Sequence, residues 1–93
     1  MSPTGFKILS LPSAARGLTE LRGAVQARIR TAIRSLAHDP EPADSIPMRG
    51  RAEGLHRLRV GGWRVVYRIQ SERRTILVLR IGHRSDVYRG FET

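Results

Sequence analysis

The sequence has no cysteine, one lysine and only three histidines among its 93 residues. Without cysteine, the chain has neither a disulfide framework nor a thiolate metal site. His38, His56 and His83 lie too far apart in the sequence to suggest a zinc cluster. No apolar run approaches the roughly 18 residues of a membrane span, and no signal-peptide pattern opens the chain. We therefore expect a cytoplasmic protein that uses no metal, no cofactor and no membrane.

The length and the composition together predict one domain. A chain of 93 residues has surface enough for a single core, and 40% of its residues are hydrophobic, which is sufficient for a packed interior. No repeat and no low-complexity segment divides the sequence. We therefore assign residues 1–93 to one domain.

Basic residues outnumber acidic residues by 17 to 8, so the formal net charge is +9. All of the basic residues except Lys7 are arginine. This excess predicts an anionic partner, and arginine suits phosphate because one guanidinium can hold two oxygens at once. A GC-rich genome would also enrich arginine, but it would not determine where the arginines lie.

Hydrophobic periodicity predicts a strand and two helices before residue 38. Residues 6–11 read as a short strand that stops at Pro12, and residues 13–21 read as a first helix. The apolar side of this helix consists of Ala14, Leu18 and Leu21. The second helix has apolar residues at i, i+4, i+7, i+8 and i+11, which are Val25, Ile29, Ala32, Ile33 and Leu36. A polar, proline-broken loop follows at residues 38–44.

After this loop the period changes to two, which is typical of strands. Residues 55–60 and 63–70 flank Gly61-Gly62, a dipeptide that accepts the positive φ angles of a tight hairpin turn. Another strand is expected at residues 75–81, after a turn. The order strand, helix, helix and three strands predicts an α+β fold, in which a helical hairpin covers one face of an antiparallel sheet.

A two-residue turn determines which side chains share each face of the hairpin. The face beneath the helices receives Leu58, Val60, Trp63, Val65, Tyr67 and Ile69. The opposite face receives four arginines, which are Arg57, Arg59, Arg64 and Arg68. On the next strand we expect Leu77, Leu79 and Ile81 in the core, which leaves Arg80 and Arg84 on the arginine side.

The turn also places Arg59 directly opposite Arg64. Like charges in this position weaken a sheet by about 0.2–1 kcal/mol, and these strands carry no carboxylate to offset them. A bound anion would relieve the repulsion. The alternative is a solvated basic face whose guanidinium groups extend into water.

Two motifs resemble those of the RelE/ParE superfamily of toxins from type II toxin–antitoxin systems. Residues 58–69, LRVGGWRVVYRI, resemble the central hairpin of these toxins. Residues 79–89, LRIGHRSDVYR, resemble their C-terminal signature. The resemblance covers nearly the whole chain and implies the RelE-like fold, together with an antitoxin as the partner.

The superfamily has two activities on this one fold. RelE-like members cut mRNA in the ribosomal A site, and ParE-like members inhibit DNA gyrase. The resemblance carries the cleaving residues of the RelE type onto Arg57 or Arg59, Arg64, Arg84 or His83, and Tyr88. This set favours an mRNA endonuclease that inhibits translation. The alternatives are a gyrase inhibitor and a non-catalytic RNA-binding module or degenerate toxin.

Metal-free RNA cleavage uses the ribose 2′-hydroxyl as the nucleophile and needs a base, an acid and cations. Arginine stays charged and offers several donors, so it suits the cationic role. We assign this role to Arg59, Arg64 and Arg84, and RNA binding to Arg57, Arg68 and Arg80.

The base is expected to be Tyr88 or His83. Histidine begins with a pKa nearer neutrality, whereas the resemblance favours the tyrosine, whose phenolate would be stabilised by nearby arginines. The sequence departs from some members of the superfamily in having arginine where they have a lysine on the first hairpin strand. Arginine does not readily exchange a proton, so the acid must come from elsewhere.

Overall fold

The computed structural model describes residues 5–49, 54–84 and 87, which form a five-stranded sheet with two helices on one face. The strands are β1 (Lys7–Ser10), β2 (Ser45–Pro47), β3 (Leu55–Val60), β4 (Trp63–Gln70) and β5 (Thr75–His83). The helices are α1 (Pro12–Thr19) and α2 (Gly23–Ser35). The predicted α+β class is confirmed.

The strand order is β1-β5-β4-β3-β2. β1 runs parallel to β5, and the other neighbours pair antiparallel, so the sheet is mixed rather than wholly antiparallel. Neither helix in the described part of the chain is long and apolar enough to cross a membrane.

The helical hairpin is held together at the end of α1. The Gln26 side chain donates from Nε2 to the carbonyl oxygens of Leu18 and Leu21, at 3.0 and 3.1 Å. Pro12 is the first residue of α1, where its missing N–H is not needed. Gly17 allows close packing on β5, since a Cβ at this position would lie 3.0 Å from the Ile81 carbonyl oxygen.

The main core lies between the helices and the sheet, as the two hydrophobic periods predict. The α2 stripe contributes Ile29, Ile33 and Leu36, which are all buried. The sheet contributes Leu58, Val65, Tyr67, Ile76, Val78 and Ile81. Trp63, Val60 and Ile69 pack against this core, so the predicted core face of the hairpin is confirmed.

The hairpin has the predicted bounds and register. Val60 pairs with Trp63, Arg59 with Arg64 and Leu58 with Val65. Gly61 has a φ of +61°, a conformation that a β-carbon disfavours, so the glycine is required by the turn.

A β-bulge on β5 overturns the prediction for two leucines. The register shifts between Val66 and Tyr67, so that Val66 pairs with Arg80 while Tyr67 pairs with Val78. One extra residue on a strand reverses the face of everything beyond it. Ile76 and Val78 therefore enter the main core in place of the expected Leu77 and Leu79, whereas Ile81 is buried there as predicted.

The opposite face of the sheet has a small apolar cluster of its own, which the sequence analysis missed. Leu55, Val66 and Val87 are buried there, with Met48 and Leu79 packed against them. The chain turns back after β5 to bring in Val87, whose N–H donates to the His83 carbonyl at 2.9 Å. The face predicted to be cationic is therefore divided by an apolar patch.

The short strand β2 was also not predicted. It has three residues, one of them Pro47, and it pairs with the outer edge of β3. Three residues are too few to show an alternating pattern, and proline is tolerated on an edge strand because no ladder hydrogen bond is lost there. Beyond β2, the Arg59 N–H donates to the Asp44 carbonyl at 3.0 Å, which holds the loop before β2 against the end of β3.

Candidate functional site

Two adjoining cavities open beside the hairpin turn. The turn cavity, of about 620 Å³, lies between α2, the loop before β2 and the turn, and it is lined by Arg28, Ala32, Ser35, Pro42, Ala43, Asp44, Leu58, Arg59, Val60, Gly61, Arg64 and Arg84. The face cavity, of about 280 Å³, is lined by Ala43, Asp44, Ile46, Arg57, Arg59 and Arg64. Four residues line both cavities: Ala43, Asp44, Arg59 and Arg64.

Arginine dominates the charge of both cavities. Among the residues that the structure describes, the turn cavity has four guanidinium groups against one carboxylate, and the face cavity has three against the same carboxylate, Asp44. Asp44 lies 3.9 Å from Arg59, and both side chains are about two-thirds exposed. An exposed pair at this distance contributes about 0–1 kcal/mol. The site therefore keeps a positive potential suited to an anion.

Arg64 is the most firmly held of these arginines. Its Nη1 donates to the carbonyl oxygens of Gly61 and Trp63, at 2.8 and 2.9 Å. These two bonds fold the side chain back over the turn. The guanidinium is therefore placed before any ligand arrives.

Arg84 and Arg57 border the same region from different strands: Arg84 directly follows β5, and Arg57 lies on β3. The Arg84 N–H donates to the Gly62 carbonyl at 3.0 Å, which ties the end of β5 to the turn. Arg57 is half-buried on β3 and lines the face cavity only. The structure thus brings together four of the predicted residues: Arg57, Arg59, Arg64 and Arg84.

The other predicted residues lie elsewhere in the described structure. Arg68 is exposed near the opposite end of β4, where it pairs with Leu55. Arg80 shares the arginine side of the sheet, as predicted, and its Nη1 donates to the Val87 carbonyl at 3.2 Å. His83 pairs with Trp63, so it lies on the helix side of the sheet, and its ring meets the indole edge-on at 5.5 Å. None of these three lines either cavity.

Tyr88 lies outside the described residues. It follows Val87 directly in the sequence, and Val87 is fixed by three contacts: burial in the apolar cluster, the bond to His83 and the bond from Arg80. The described residue that precedes Tyr88 in the sequence is therefore held in place.

Comparison with protein families matches residues 10–88 to the ParE toxin of type II toxin–antitoxin systems. The chain belongs to this family. It is 42% identical over 43 residues to Toxin RelG of Mycobacterium tuberculosis, a match that covers 46% of this chain and about half (49%) of that relative. The predicted membership of the RelE/ParE superfamily is confirmed.

Solved structures of this superfamily have the same fold. The toxin–antitoxin complex RelBE2 from M. tuberculosis contains a chain with a TM-score of 0.77 and 27% identity, covering 86% of this toxin and 99% of that chain. The RelE–RelB complex from Pyrococcus horikoshii gives a TM-score of 0.76 at 23% identity, covering 89% of this toxin and 99% of that chain. The second likeness supports the fold alone.

Two residues of the toxin's site were missed by the sequence analysis. Asp44 lies in the loop before β2, and Arg28 lies on α2, far from the hairpin in sequence. The periodicity placed Arg28 off the apolar stripe, but it gave no sign that this helix face borders the turn. The acidic content of the loop at residues 38–44 was the one available signal for Asp44.

Tyr67 holds the loop that carries Asp44. This buried side chain on β4 donates its hydroxyl to the Pro40 carbonyl at 2.6 Å. Burial raises the pKa of the Tyr67 phenol above the ordinary 10.0, and Glu41 and Asp39 raise it further against a hydrogen bond with Ser45 that lowers it. The loop is thus secured by a group that must stay neutral.

We expect Tyr67→Phe to change how the toxin's stability depends on alkaline pH. Because the pKa is raised in the folded state, the neutral phenol stabilises the fold below about pH 10, and this contribution is lost as the pH rises through the folded-state value. The variant should lose about 1–3 kcal/mol at neutral pH, since the Pro40 carbonyl loses its donor. As the pH rises above 10, the free energy of unfolding of the variant should fall less than that of the wild type.

Urea unfolding at a series of pH values measures both effects. Tyr88→Phe is the matched control, because the chain has two tyrosines and Tyr88 lies outside the main core strands. If the free energy of unfolding changes with pH in the same way for the wild type and Tyr67→Phe, the raised pKa of Tyr67 does not contribute to stability as we expect.

Proposed function

We propose that this toxin is a ribosome-dependent mRNA endonuclease that inhibits translation. The observation that carries the proposal is the convergence of Arg57, Arg59, Arg64 and Arg84 on two adjoining cavities with a single carboxylate. A phosphodiester fits this arrangement, because guanidinium groups hold its non-bridging oxygens. The similarity to Toxin RelG supports the coarser assignment, a toxin of this superfamily.

Cleavage proceeds by attack of the ribose 2′-oxygen on the adjacent phosphorus. The new O2′–P bond forms as the P–O5′ bond breaks, which leaves a 2′,3′-cyclic phosphate and a free 5′-hydroxyl. A base takes the 2′ proton, and an acid gives a proton to the leaving 5′-oxygen. Arg59, Arg64 and Arg84 stabilise the negative charge that develops on the phosphate in the transition state.

Of the two candidate bases, Tyr88 is better supported than His83. The His83 ring packs against Trp63 on the helix side of the sheet, and it does not line either cavity. Tyr88 follows Val87 in the sequence, and Val87 packs on the arginine side of the sheet. The acid is not a lysine, because the one lysine, Lys7, lies on the edge strand β1, which is separated from β3 by β5 and β4.

The toxin's partner is a cognate antitoxin that covers the arginine cavities. The similar structures from M. tuberculosis and P. horikoshii are toxin–antitoxin complexes, and a net charge of +9 calls for an acidic covering segment. Contact with the helical hairpin would add apolar area, so the complex should dissociate only in part at high salt. Complete dissociation by salt would contradict this extended interface.

The test of the nuclease is primer extension on an abundant message in a translating extract. We expect new 5′ ends within codons when the wild-type toxin is added, and these ends should carry a 5′-hydroxyl. Tyr88→Phe should lose about 100-fold or more in cleavage rate, consistent with the loss of a general base, whereas His83→Gln should retain most of it. A deoxyribose at the cut position should block cleavage in every sample.

If the message stays uncut in the presence of folded toxin, the proposed nuclease activity is wrong. The match to the ParE toxin family favours one other function, inhibition of DNA gyrase. Growth arrest without cuts, together with loss of gyrase supercoiling activity in vitro, would establish it. Arrest with neither effect, or no arrest, would leave an RNA-binding module or a degenerate toxin.

A further inference from the structure

The α2 wall of the turn cavity has no role in the mechanism above. Arg28, Ala32 and Ser35 stand at i, i+4 and i+7, so they form one side of the helix, and all three line the cavity. Across the cavity lie the turn, Arg64 and Arg84. The helix thus extends the arginine site beyond the sheet.

Arg28 and Arg64 approach the same residue of the turn. A Cβ at position 61 would lie 3.6 Å from both Nη atoms of Arg28, so this guanidinium lies beside the turn glycine. Arg64 donates to the carbonyl of the same Gly61 at 2.8 Å. Two cations are therefore held beside one small residue.

In the described part of the chain, no partner offsets the repulsion between Arg28 and Arg64. Among the described residues, no hydrogen bond or ion pair reaches its guanidinium, and the one carboxylate of the cavity lies 3.9 Å from Arg59. An anion between the helix and the turn would bring the guanidinium groups into favourable contacts. The rest of the wall includes Ala32, Leu58 and Val60, which suit the apolar faces of a sugar or base.

We propose that the turn cavity is a second phosphate subsite, in which Arg28 binds a phosphate that neighbours the scissile one along the RNA chain, while Arg64 and Arg84 donate to both phosphates. The inference rests on the proposed RNA-binding function. At about 620 Å³ the cavity is large enough for a nucleotide, whereas the face cavity, at about 280 Å³, is not. Arg28 is thus a substrate-binding residue that lies outside the sheet.

The first measurement is the binding of single-stranded RNA that is 2′-O-methylated throughout and so cannot be cleaved. Fluorescence anisotropy at a series of salt concentrations gives the affinity and its salt dependence for the wild type, Arg28→Ala and Arg30→Ala. Arg30 is exposed on the same helix and lines neither cavity, so it is the matched control.

We expect Arg28→Ala to weaken binding about tenfold or more, which is the usual loss for a charge-assisted contact. The slope of log K against log salt should become less steep by about 0.7, the value for one phosphate of a single strand. Arg30→Ala should keep the wild-type slope to within a fraction of that value. Arg28→Lys should keep the slope but lose affinity, because lysine has no guanidinium fork.

The length of the ligand separates the two subsites. With a dinucleotide that has one phosphate between its sugars, Arg28→Ala should bind nearly as well as the wild type. With longer RNA the two should diverge. Two results would contradict the proposed subsite. One is an equal slope of log K against log salt for the wild type and Arg28→Ala, and the other is an equal loss of affinity with the dinucleotide and with longer RNA.

The outcome is independent of cleavage. If the toxin binds RNA with the expected Arg28 dependence but leaves messages intact, the subsite stands and the nuclease fails. If it cuts messages while Arg28→Ala behaves like Arg30→Ala in both binding and cleavage, the nuclease stands and the subsite fails. Loss of antitoxin binding alone in Arg28→Ala would assign the cavity to an acidic protein segment instead.

Discussion

Replacing Arg64 with alanine is expected to lower the rate of message cleavage by about 100- to 1000-fold, the usual effect of removing one preorganised donor from a charged transition state. Arg64 lines both cavities, and two backbone carbonyls hold its Nη1 in place. A placed cation requires no reorganisation as the phosphate gains charge. Its loss should therefore lower the rate of the chemical step more than it weakens RNA binding.

Two further variants make the Arg64 result specific. Arg64→Lys keeps the charge but cannot bond the two carbonyls and present a guanidinium fork, so most of the activity should be lost. Arg73→Ala removes one arginine from the exposed turn at the far end of β4 and should cleave like the wild type. Folded Arg64→Ala with wild-type cleavage would remove Arg64 from the proposed mechanism.

The second large effect is expected at Val87, although this side chain lines neither the turn cavity nor the face cavity. Its burial against Leu55 and Val66, with the bond from Arg80, fixes the chain where it enters Tyr88. Val87→Ala should loosen that point and reduce cleavage about 10- to 100-fold, because displacement of a catalytic group by about 1 Å can cost as much as 100-fold.

Val78→Ala is the control for stability. Val78 is also fully buried, but it lies in the main core beneath the helices. Both variants remove the same two methyl groups, and each should lower the free energy of unfolding by about 1.5–3 kcal/mol. Cleavage should fall only in Val87→Ala. Equal activity in the two variants would show that the apolar cluster does not position the C-terminal segment.

The apolar cluster also explains why the arginine side of the sheet is not a uniform basic surface. Val66 lies between the arginines near the turn and Arg68 near the other end of β4. Val66 is buried together with Leu55 and Val87, and Arg80 donates to the Val87 carbonyl. Arg80 was predicted to bind RNA; its described contact is a structural one, and its role in RNA binding stays a prediction.

The local elements followed from the sequence because each depends on a short-range rule. The apolar stripe of α2 requires only the helical period, and the hairpin requires only alternation around Gly61-Gly62. Since the two-residue turn also sets the register, the opposition of Arg59 and Arg64 could be predicted. The superfamily followed from the same hairpin and from the C-terminal signature.

The sequence could not place the β5 leucines, because residues 76–79 are all apolar. Either the odd-numbered or the even-numbered side chains of this run could therefore face the core. Choosing between the parities required the bulge, which depends on how β5 meets β4. The strand β2 was hidden for a related reason: three residues show no period, and only the free edge of β3 makes them a strand.

By itself, then, the sequence determined the helices, the hairpin, the superfamily and the excess of arginine, because periodicity, turn chemistry and charge are written in neighbouring residues. The tertiary structure alone decided which arginines share a cavity. Arg28 and Asp44 meet the hairpin arginines only because α2 and the loop before β2 pack beside the turn. Packing between segments distant in sequence has no local pattern, so the composition of the site appears only when the chain is folded.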